Sequence, residues 1–158
     1  MPAPATRRAT PDDIPVLVAL MREFYAESDY PLPEEAAAQA FAGLLADERL
    51  GRLWLIEHLG EPAGYVALTV GYSMEFGGLR GFVDDLFVRA AHRGRGLAAA
   101  ALAEVAAECE ELDVRALLVE VGPDNDVARR VYARAGLEDT GRIVLARALA
   151  PATHERED

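Results

Sequence analysis

The chain of 158 residues contains no lysine, and all 16 of its basic residues are arginines. A Walker-type phosphate loop requires a lysine, and so does a Schiff-base mechanism, so both are excluded. Acidic residues outnumber basic ones by 27 to 16, which gives a formal net charge of -11. Affinity for nucleic acids depends largely on arginine and lysine at the phosphates, so this balance argues against a nucleic-acid partner.

Cysteine and long apolar runs are also scarce. Cys109 is the single cysteine, so the chain has no internal disulfide, which fits a reducing compartment. No run approaches the ~20 apolar residues of a membrane span, and residues 1–8 lack the apolar centre of a signal peptide. We therefore expect a cytoplasmic protein with no membrane partner. The histidines show no metal-ligand spacing, so we expect no metal site.

Apolar periodicity predicts one domain over residues 1–150, followed by a disordered tail at 151–158. Strands are predicted at residues 6–9, 53–58, 63–75, 81–88, 114–121 and 141–149. Helices are predicted at residues 11–28, 34–50 and 97–111, with a last helix between residues 125 and 136. Short turns favour antiparallel pairing of the second, third and fourth strands. The strand–helix–strand unit over residues 81–121 favours one parallel pair, and its second strand is apolar enough to be buried on both faces.

The segment after the strand at 81–88 has the features of an anion site. Gly94 and Gly96 directly precede an Ala/Leu-rich helix. The first N–H groups of a helix have no intrahelical partner, and glycine lets an anion approach the backbone closely. On an acidic chain, three nearby arginines indicate a specific anionic ligand. These arginines are Arg89, Arg93 and Arg95.

The same glycines also fit the dinucleotide-binding pattern G-x-G-x-x-A, with Glu120 near the end of the next strand. In a dinucleotide fold the first glycine follows its strand almost directly, whereas here five residues intervene. Only 37 residues follow Val121, too few for the further strand–helix units of that fold. The dinucleotide reading is therefore the weaker one.

Two segments together resemble the GNAT superfamily of N-acetyltransferases. Residues 93–98 are similar to the acyl-CoA motif Q/R-x-x-G-x-G/A of that superfamily. Residues 125–137 are similar to its pattern N-x-x-A-x-x-x-Y-x-x-x-G-F, with Leu137 in place of the final phenylalanine. The order of elements over residues 6–149 also matches. The resemblance implies an α/β fold with a mixed, mostly antiparallel central sheet, one diverging parallel strand pair and helices on both faces.

The resemblance also implies a reaction, in which acetyl-CoA donates an acetyl group to a small-molecule amine. Tyr132 then protonates the leaving thiolate, although from the residues alone it is also a candidate core tyrosine. A main-chain N–H of the diverging strand could stabilise the oxyanion of the intermediate. Asn125 is either a contact to acetyl-CoA or only a helix N-cap. The implied acetyl-CoA contacts are Leu86, Phe87, Val88, Arg93, Gly94, Arg95, Gly96, Leu97, Ala98 and Asn125.

Asp84 and Asp85 lie inside an otherwise apolar strand, where the two-residue period predicts that they face opposite sides. An alkylamine is protonated at neutral pH, so transfer needs a base. Residues 83–88 are similar to the acid–acid–apolar–aromatic–valine segment of polyamine acetyltransferases, which implies Asp84 as the base. Asp85, Glu75 and Glu120 remain alternatives.

The acceptor is expected to be a small cationic amine. The acidic chain attracts cations, and further carboxylates are expected near the cleft at Glu23, Glu27 and Glu75. Two alternatives remain open, a non-catalytic acyl-CoA-binding or interaction module and an acetyltransferase of protein N-termini. A homodimer is compatible with the sequence, which does not decide the oligomeric state.

Overall fold

The computed structural model describes residues 5–149, and one five-stranded sheet organises this range. The strands are β1 Ala5–Arg8, β2 Gly51–His58, β3 Glu61–Ser73, β4 Gly78–Val88 and β5 Val114–Val119. They lie in the order β1-β2-β3-β4-β5. The first three neighbouring pairs are antiparallel, and β4 and β5 are parallel. The predicted α/β fold with a mixed sheet and one parallel pair is confirmed.

Within the same range, four helices pack around the sheet: α1 Ile14–Glu27, α2 Glu34–Ala46, α3 Leu97–Glu111 and α4 Asp126–Arg134. Before α1, the N–H of Thr10 donates to Oδ2 of Asp13 (2.8 Å), which fixes the turn that opens the helix. None of the helices in residues 5–149 combines the length and the apolar character that a membrane crossing requires.

Each face of the sheet has its own apolar core, because successive side chains of a strand point to opposite faces. The face toward α1 and α2 buries Leu17, Leu20, Phe41, Leu55, Tyr65 and Phe87. The face toward α3 buries Ile56, Val66, Leu68, Leu102, Val105 and Cys109. Cys109 is therefore a core residue.

The carboxyl-terminal part of the described chain differs from the prediction. Residues 141–149 form no strand, and every one of them is exposed. The strand pattern predicts an extended apolar segment but does not supply a partner strand. Within residues 5–149 no strand pairs with residues 141–149. β5 ends at Val119, and its side chains are half-buried rather than buried on both faces. The predicted tail at 151–158 lies outside the described residues.

Candidate active site

The β4–β5 pair opens partway along its length. Its parallel pairing ends at Val83 and Val119, where β5 stops, while β4 continues through residues 84–88. The main-chain groups of this stretch that point toward β5 have no strand partner among residues 5–149. Apart from the Val88 carbonyl oxygen, which accepts from Nε of Arg93, they are available to an amide-bearing ligand. The diverging parallel pair is therefore confirmed. Three predicted contact residues lie on the open stretch: Leu86, Phe87 and Val88.

The glycine loop lies between the open end of β4 and the start of α3. Gly94 and Gly96 both have φ of +77°, a left-handed conformation that favours glycine. No heavy atom lies within 4 Å of the position that a Cβ would occupy at either glycine. Gly96 is the N-cap of α3, and buried Leu97 anchors the first turn against the core. The loop thus presents free helix N–H groups, through Ala98, beside open space.

Two of the loop arginines are held by carboxylates of α1. Arg93 forms an ion pair with Glu27 (2.5 Å), and its Nε donates to the carbonyl oxygen of Val88 (2.8 Å). Arg89 forms an ion pair with Glu23 (2.8 Å). Both glutamates, which were expected near the cleft, thus lie beside the glycine loop, and their charges are engaged by arginines. A ligand phosphate that binds Arg93 has to compete with Glu27.

The third loop arginine, Arg95, is exposed, and no acidic side chain within residues 5–149 forms an ion pair with it. It is therefore the cation of the loop that is most accessible to an anion. Long-range attraction of a polyphosphate to this point is opposed by the overall negative charge of the chain, so binding depends on local contacts.

A β-bulge in β4 places the two aspartates. Ala67 of β3 pairs with Asp85 and the next residue, Leu68, pairs with Val83, so Asp84 is the extra residue. A bulge interrupts the two-residue alternation.

Tyr65 and Ala67 of β3 pack on the α1–α2 face, so Thr69 lies on the same face. The side chain of Tyr65 is hydrogen-bonded to Asp85, and that of Thr69 to Asp84. Burial, and then the charges of both aspartates, raise the pKa of Tyr25 in α1. Both carboxylates therefore lie toward the α1–α2 face, and the prediction that they face opposite sides is wrong.

Asp85 is the more buried of the two carboxylates. The Tyr65 hydroxyl donates to its Oδ2 (2.8 Å). Burial raises the pKa of Asp85 to about 6; the hydrogen bond from Tyr65 opposes the rise, and the charge of Asp84 adds to it. Burial also raises the pKa of Asp84, opposed by the Thr69 hydroxyl and reinforced by Glu120. The site thus holds one carboxylate that titrates near neutrality.

Tyr132 of α4 lies half-buried against the α3 core. Burial, together with the charge of Asp85, raises the pKa of its phenol to about 12, so the hydroxyl stays protonated at neutral pH. Asn125 caps α4, with its Oδ1 accepting from the N–H of Ala128 (3.1 Å). Its amide NH₂ group is left as the part that a ligand could contact.

Aromatic side chains surround the two carboxylates on the α1–α2 face. Phe24 stacks on Phe87 with ring centroids 5.2 Å apart, and Tyr25 lies 6.1 Å from Tyr30. The sequence gave no signal that Tyr25 of α1 would approach the strand carboxylates. Tyr25 and the two carboxylates come together only through the packing of α1 on β4.

Glu75, an alternative candidate for the base, lies far from the two aspartates. Glu75 is in the β3–β4 turn and pairs with Arg142 (2.7 Å), which lowers its pKa. At ~3.3 Å per residue along β4 it is about 20 Å or more from Asp84, so it is excluded as the base.

The structure also joins two histidines that are distant in sequence. The Nδ1 atoms of His58 and His92 are 3.1 Å apart. Within residues 5–149 no group of three or more potential ligands could hold a metal ion. His154 lies outside this range.

The sheet opens between β4 and β5, and a glycine–arginine loop at a helix N-terminus borders the opening. This arrangement is typical of α/β acyltransferases. Residues 16–137 match the Acetyltransferase (GNAT) family. This match spans well over half of the chain, and the protein therefore belongs to that family.

Solved structures agree with this assignment. An integron cassette protein from the mobile metagenome of Cole Harbour Salt Marsh is 54% identical, with a TM-score of 0.86 over 95% of this chain and 93% of that one. A predicted acetyltransferase from Clostridium acetobutylicum, solved with acetyl-CoA, is 18% identical, with a TM-score of 0.76 over 91% and 96% of the two chains.

A third similar structure is the aminoglycoside N-acetyltransferase AAC(6')-Iy with a CoA–acetylneamine bisubstrate analogue. It is 17% identical, with a TM-score of 0.81 over 94% of this chain and 100% of that one. At this identity the likeness shows a shared fold. A comparison with curated protein sequences gave no significant match.

Proposed function

We propose that the protein transfers an acetyl group from acetyl-CoA to the nitrogen of a small cationic amine. One observation carries the proposal: the end of β4, paired with β3 but not with β5, leads into the glycine loop at the N-terminus of α3. A ligand with amides at one end and phosphates at the other fits this arrangement, because strand-edge groups pair with amides and helix N–H groups bind phosphate. Acetyl-CoA has this chemistry, and it supplies the activated acetyl group.

The binding residues divide into two sets. Main-chain groups at residues 86–88 pair with the pantetheine arm, while Gly94 and Gly96 leave room for the pyrophosphate against the first N–H groups of α3. Arg95 contacts the phosphates without losing an internal partner, whereas Arg93 has to exchange Glu27 for phosphate. The amide NH₂ of Asn125 is placed to add a contact from the start of α4.

Proton removal from the acceptor is assigned to the aspartate pair. The resemblance named Asp84, but Asp85 has the better properties for this step. Its pKa of about 6 keeps it ionised at pH 7 while leaving it basic enough to take a proton. Asp84, exposed beside it, holds negative charge at the entrance and attracts the ammonium form of the amine.

Tyr132 completes the reaction by protonating the thiolate that leaves. Its phenol remains protonated because its pKa is about 12. After burial, the charge of Asp85 contributes to the raised pKa of this phenol, which supports the proposal that base and acid belong to one site. Amine deprotonation and thiolate protonation therefore occur at two separate groups, so neither group has to serve both steps.

The acceptor class follows from charge and aromatic content. The charges of Asp84 and Asp85 act on Tyr25, so two carboxylates and an aromatic ring lie near one another, and both kinds of group stabilise cations. Simultaneous loss of Asp84 and Asp85 would remove this attraction. Among residues 5–149, the two arginines nearest this region, Arg89 and Arg93, are paired with carboxylates of α1, which disfavours an anionic acceptor.

The test compares a diamine, a neutral-tailed amine and an amino acid of equal chain length, which differ in the charge of the tail. A peptide with a free N-terminus is assayed beside them. Acetyl-CoA is saturating throughout, since salt also weakens its binding. We expect kcat/KM to be highest for the diamine and to fall most steeply with salt for that acceptor. Equal activity on all tails, or activity only on the peptide, would overturn the cationic-acceptor proposal.

A further inference from the structure

Two histidines that are 34 positions apart in the sequence meet beside the glycine loop. His58 is the last residue of β2, and His92 ends a one-turn 3₁₀ helix, Ala90–His92, that leads from β4 into the loop. Their Nδ1 atoms are 3.1 Å apart, and the two rings are perpendicular, with centroids separated by 5.3 Å. This Nδ1–Nδ1 distance is that of a hydrogen bond, so one ring donates and the other accepts. The proposed reaction uses neither ring.

Both rings are enclosed by protein, unlike the rest of the loop. His58 is 7% exposed, and the side chain of His92 is 13% exposed. Among residues 90–96, His92 is the only one that is not exposed to solvent. A buried ring nitrogen left without a partner is costly, because it has lost its water as well. The two rings therefore hold each other in place.

The histidine pair lies between two main-chain anchors of the loop. The N–H of Arg89 donates to a carbonyl oxygen of β3 (2.7 Å), and Leu97 is buried at the start of α3. Both glycines of the loop lie between these anchors, and glycine has more conformational freedom to lose than any other residue. His92 supplies the buried side-chain contact of this stretch, and His58 connects that contact to the sheet.

A carboxylate near His92 indicates which ring donates. Nε2 of His92 lies 3.9 Å from Oε2 of Glu61, the residue that pairs with His58 across the β2–β3 hairpin. The negative charge favours a proton on Nε2 of His92, and a neutral ring that carries this proton has a lone pair on Nδ1. We therefore assign the acceptor role to Nδ1 of His92 and the donor role to Nδ1 of His58.

We propose that His58 and His92 are positioning residues for the acetyl-CoA site, because their hydrogen bond holds the glycine loop in the conformation that binds phosphate. The inference rests on the proposed function, in which the two loop glycines leave room for the pyrophosphate. A loop that also samples other conformations binds more weakly, since the apparent Kd rises as the competent fraction falls. The pair acts through loop order, so it affects acetyl-CoA binding and leaves the chemical step unchanged.

Calorimetric titration with acetyl-CoA, on variants of matched shape, tests the proposal. Leucine and asparagine have similar shapes, but asparagine keeps a polar atom at the position of Nδ1, where it can donate or accept. We expect His92→Leu and His58→Leu each to weaken acetyl-CoA binding by about threefold to tenfold, with kcat at saturating substrates unchanged. His92→Asn should recover most of the affinity. The double leucine variant should bind no more weakly than either single variant, because each removes the same hydrogen bond.

Ser73→Ala is the control for a general loss of stability. Ser73 is also buried (5%), and its hydroxyl accepts from the N–H of Phe76 (3.3 Å) at the opposite end of β3. This substitution should lower stability and leave acetyl-CoA affinity unchanged. Nitrogen-15 NMR at pH 8 tests the hydrogen bond itself, and it should show His58 with its proton on Nδ1 and His92 with its proton on Nε2.

Leucine variants that bind acetyl-CoA as tightly as the wild type would overturn the inference and leave the proposed function intact. Equal weakening by His92→Asn, additive effects in the double variant or weakening by Ser73→Ala would also overturn it, because packing or stability would then be the cause. So would NMR that finds both rings protonated only on Nε2. A wild-type protein that binds no acetyl-CoA would overturn the proposed function and, with it, this role of the pair. If one leucine variant does not fold, the other decides.

Discussion

Replacing Asp85 with asparagine separates the cost of burying this carboxylate from its use in the reaction. Burial raises the pKa of Asp85 from 3.8 to about 6. For an acid, a raised pKa in the folded state means that ionisation destabilises the fold. The destabilisation is absent below about pH 4, grows between about pH 4 and pH 6, and is complete above that. The difference in pKa corresponds to about 3 kcal/mol.

Asparagine keeps an oxygen that can accept from the Tyr65 hydroxyl but carries no charge. We expect Asp85→Asn to raise the free energy of unfolding by about 1–3 kcal/mol at pH 8, with the gain disappearing near pH 4. Urea unfolding at the two pH values measures it. The control is Asp113→Asn, at an exposed aspartate in the α3–β5 turn, which should change stability by less than about 0.5 kcal/mol.

The same variant should lose activity. Removal of a general base typically lowers the rate by about 10²–10⁴-fold, so kcat/KM should fall by that order. Asp84→Asn should mainly raise KM for a cationic acceptor, because Asp84 attracts the amine. An Asp85→Asn protein that is less stable at pH 8, or equally stabilised at both pH values, would refute the burial argument. Full activity in Asp85→Asn would refute its role as the base.

Three further substitutions test the acetyl-CoA site. Gly96→Val should abolish measurable acetyl-CoA binding in calorimetry, because valine is strained at φ of +77° and would distort the loop. The control, Gly60→Val, has a similar φ of +78° in a distant turn and should lower only stability. Tyr132→Phe should lower kcat and kcat/KM together while the affinity for acetyl-CoA stays unchanged. Unchanged turnover would mean that Tyr132 has only a packing role. Glu27→Gln should tighten acetyl-CoA binding by up to about fivefold, because it frees Arg93 from an exposed ion pair of about 1 kcal/mol or less. The control, Glu35→Gln on α2, should leave acetyl-CoA binding unchanged.

Much of the fold could be predicted because local signals agreed with the final packing. The glycines at 94 and 96 predicted that α3 begins at Leu97, as it does. The N-cap, Gly96, has a positive φ, which favours glycine at this position. The strand–helix–strand spacing predicted the parallel pair, and short turns predicted the antiparallel ones. These features depend on residues close together in sequence.

The features that the sequence did not predict depend on contacts between distant residues. The bulge at Asp84 arises from pairing with β3 and cannot be read from the alternation within β4. The pairing of Arg93 with Glu27 joins residues 66 positions apart. Residues 141–149 have a strand pattern but no partner strand among residues 5–149, and the pattern alone does not supply one.

The most direct test of the proposed reaction follows release of the CoA thiol from acetyl-CoA in the presence of the diamine, with the amine product identified by mass spectrometry. The account predicts that release requires both enzyme and amine, that acetylated amine forms in equal amount, and that Asp85→Asn loses both signals together. Thiol release that is independent of the amine, or acetyl-CoA binding without an acetylated product from any amine tested, would contradict it.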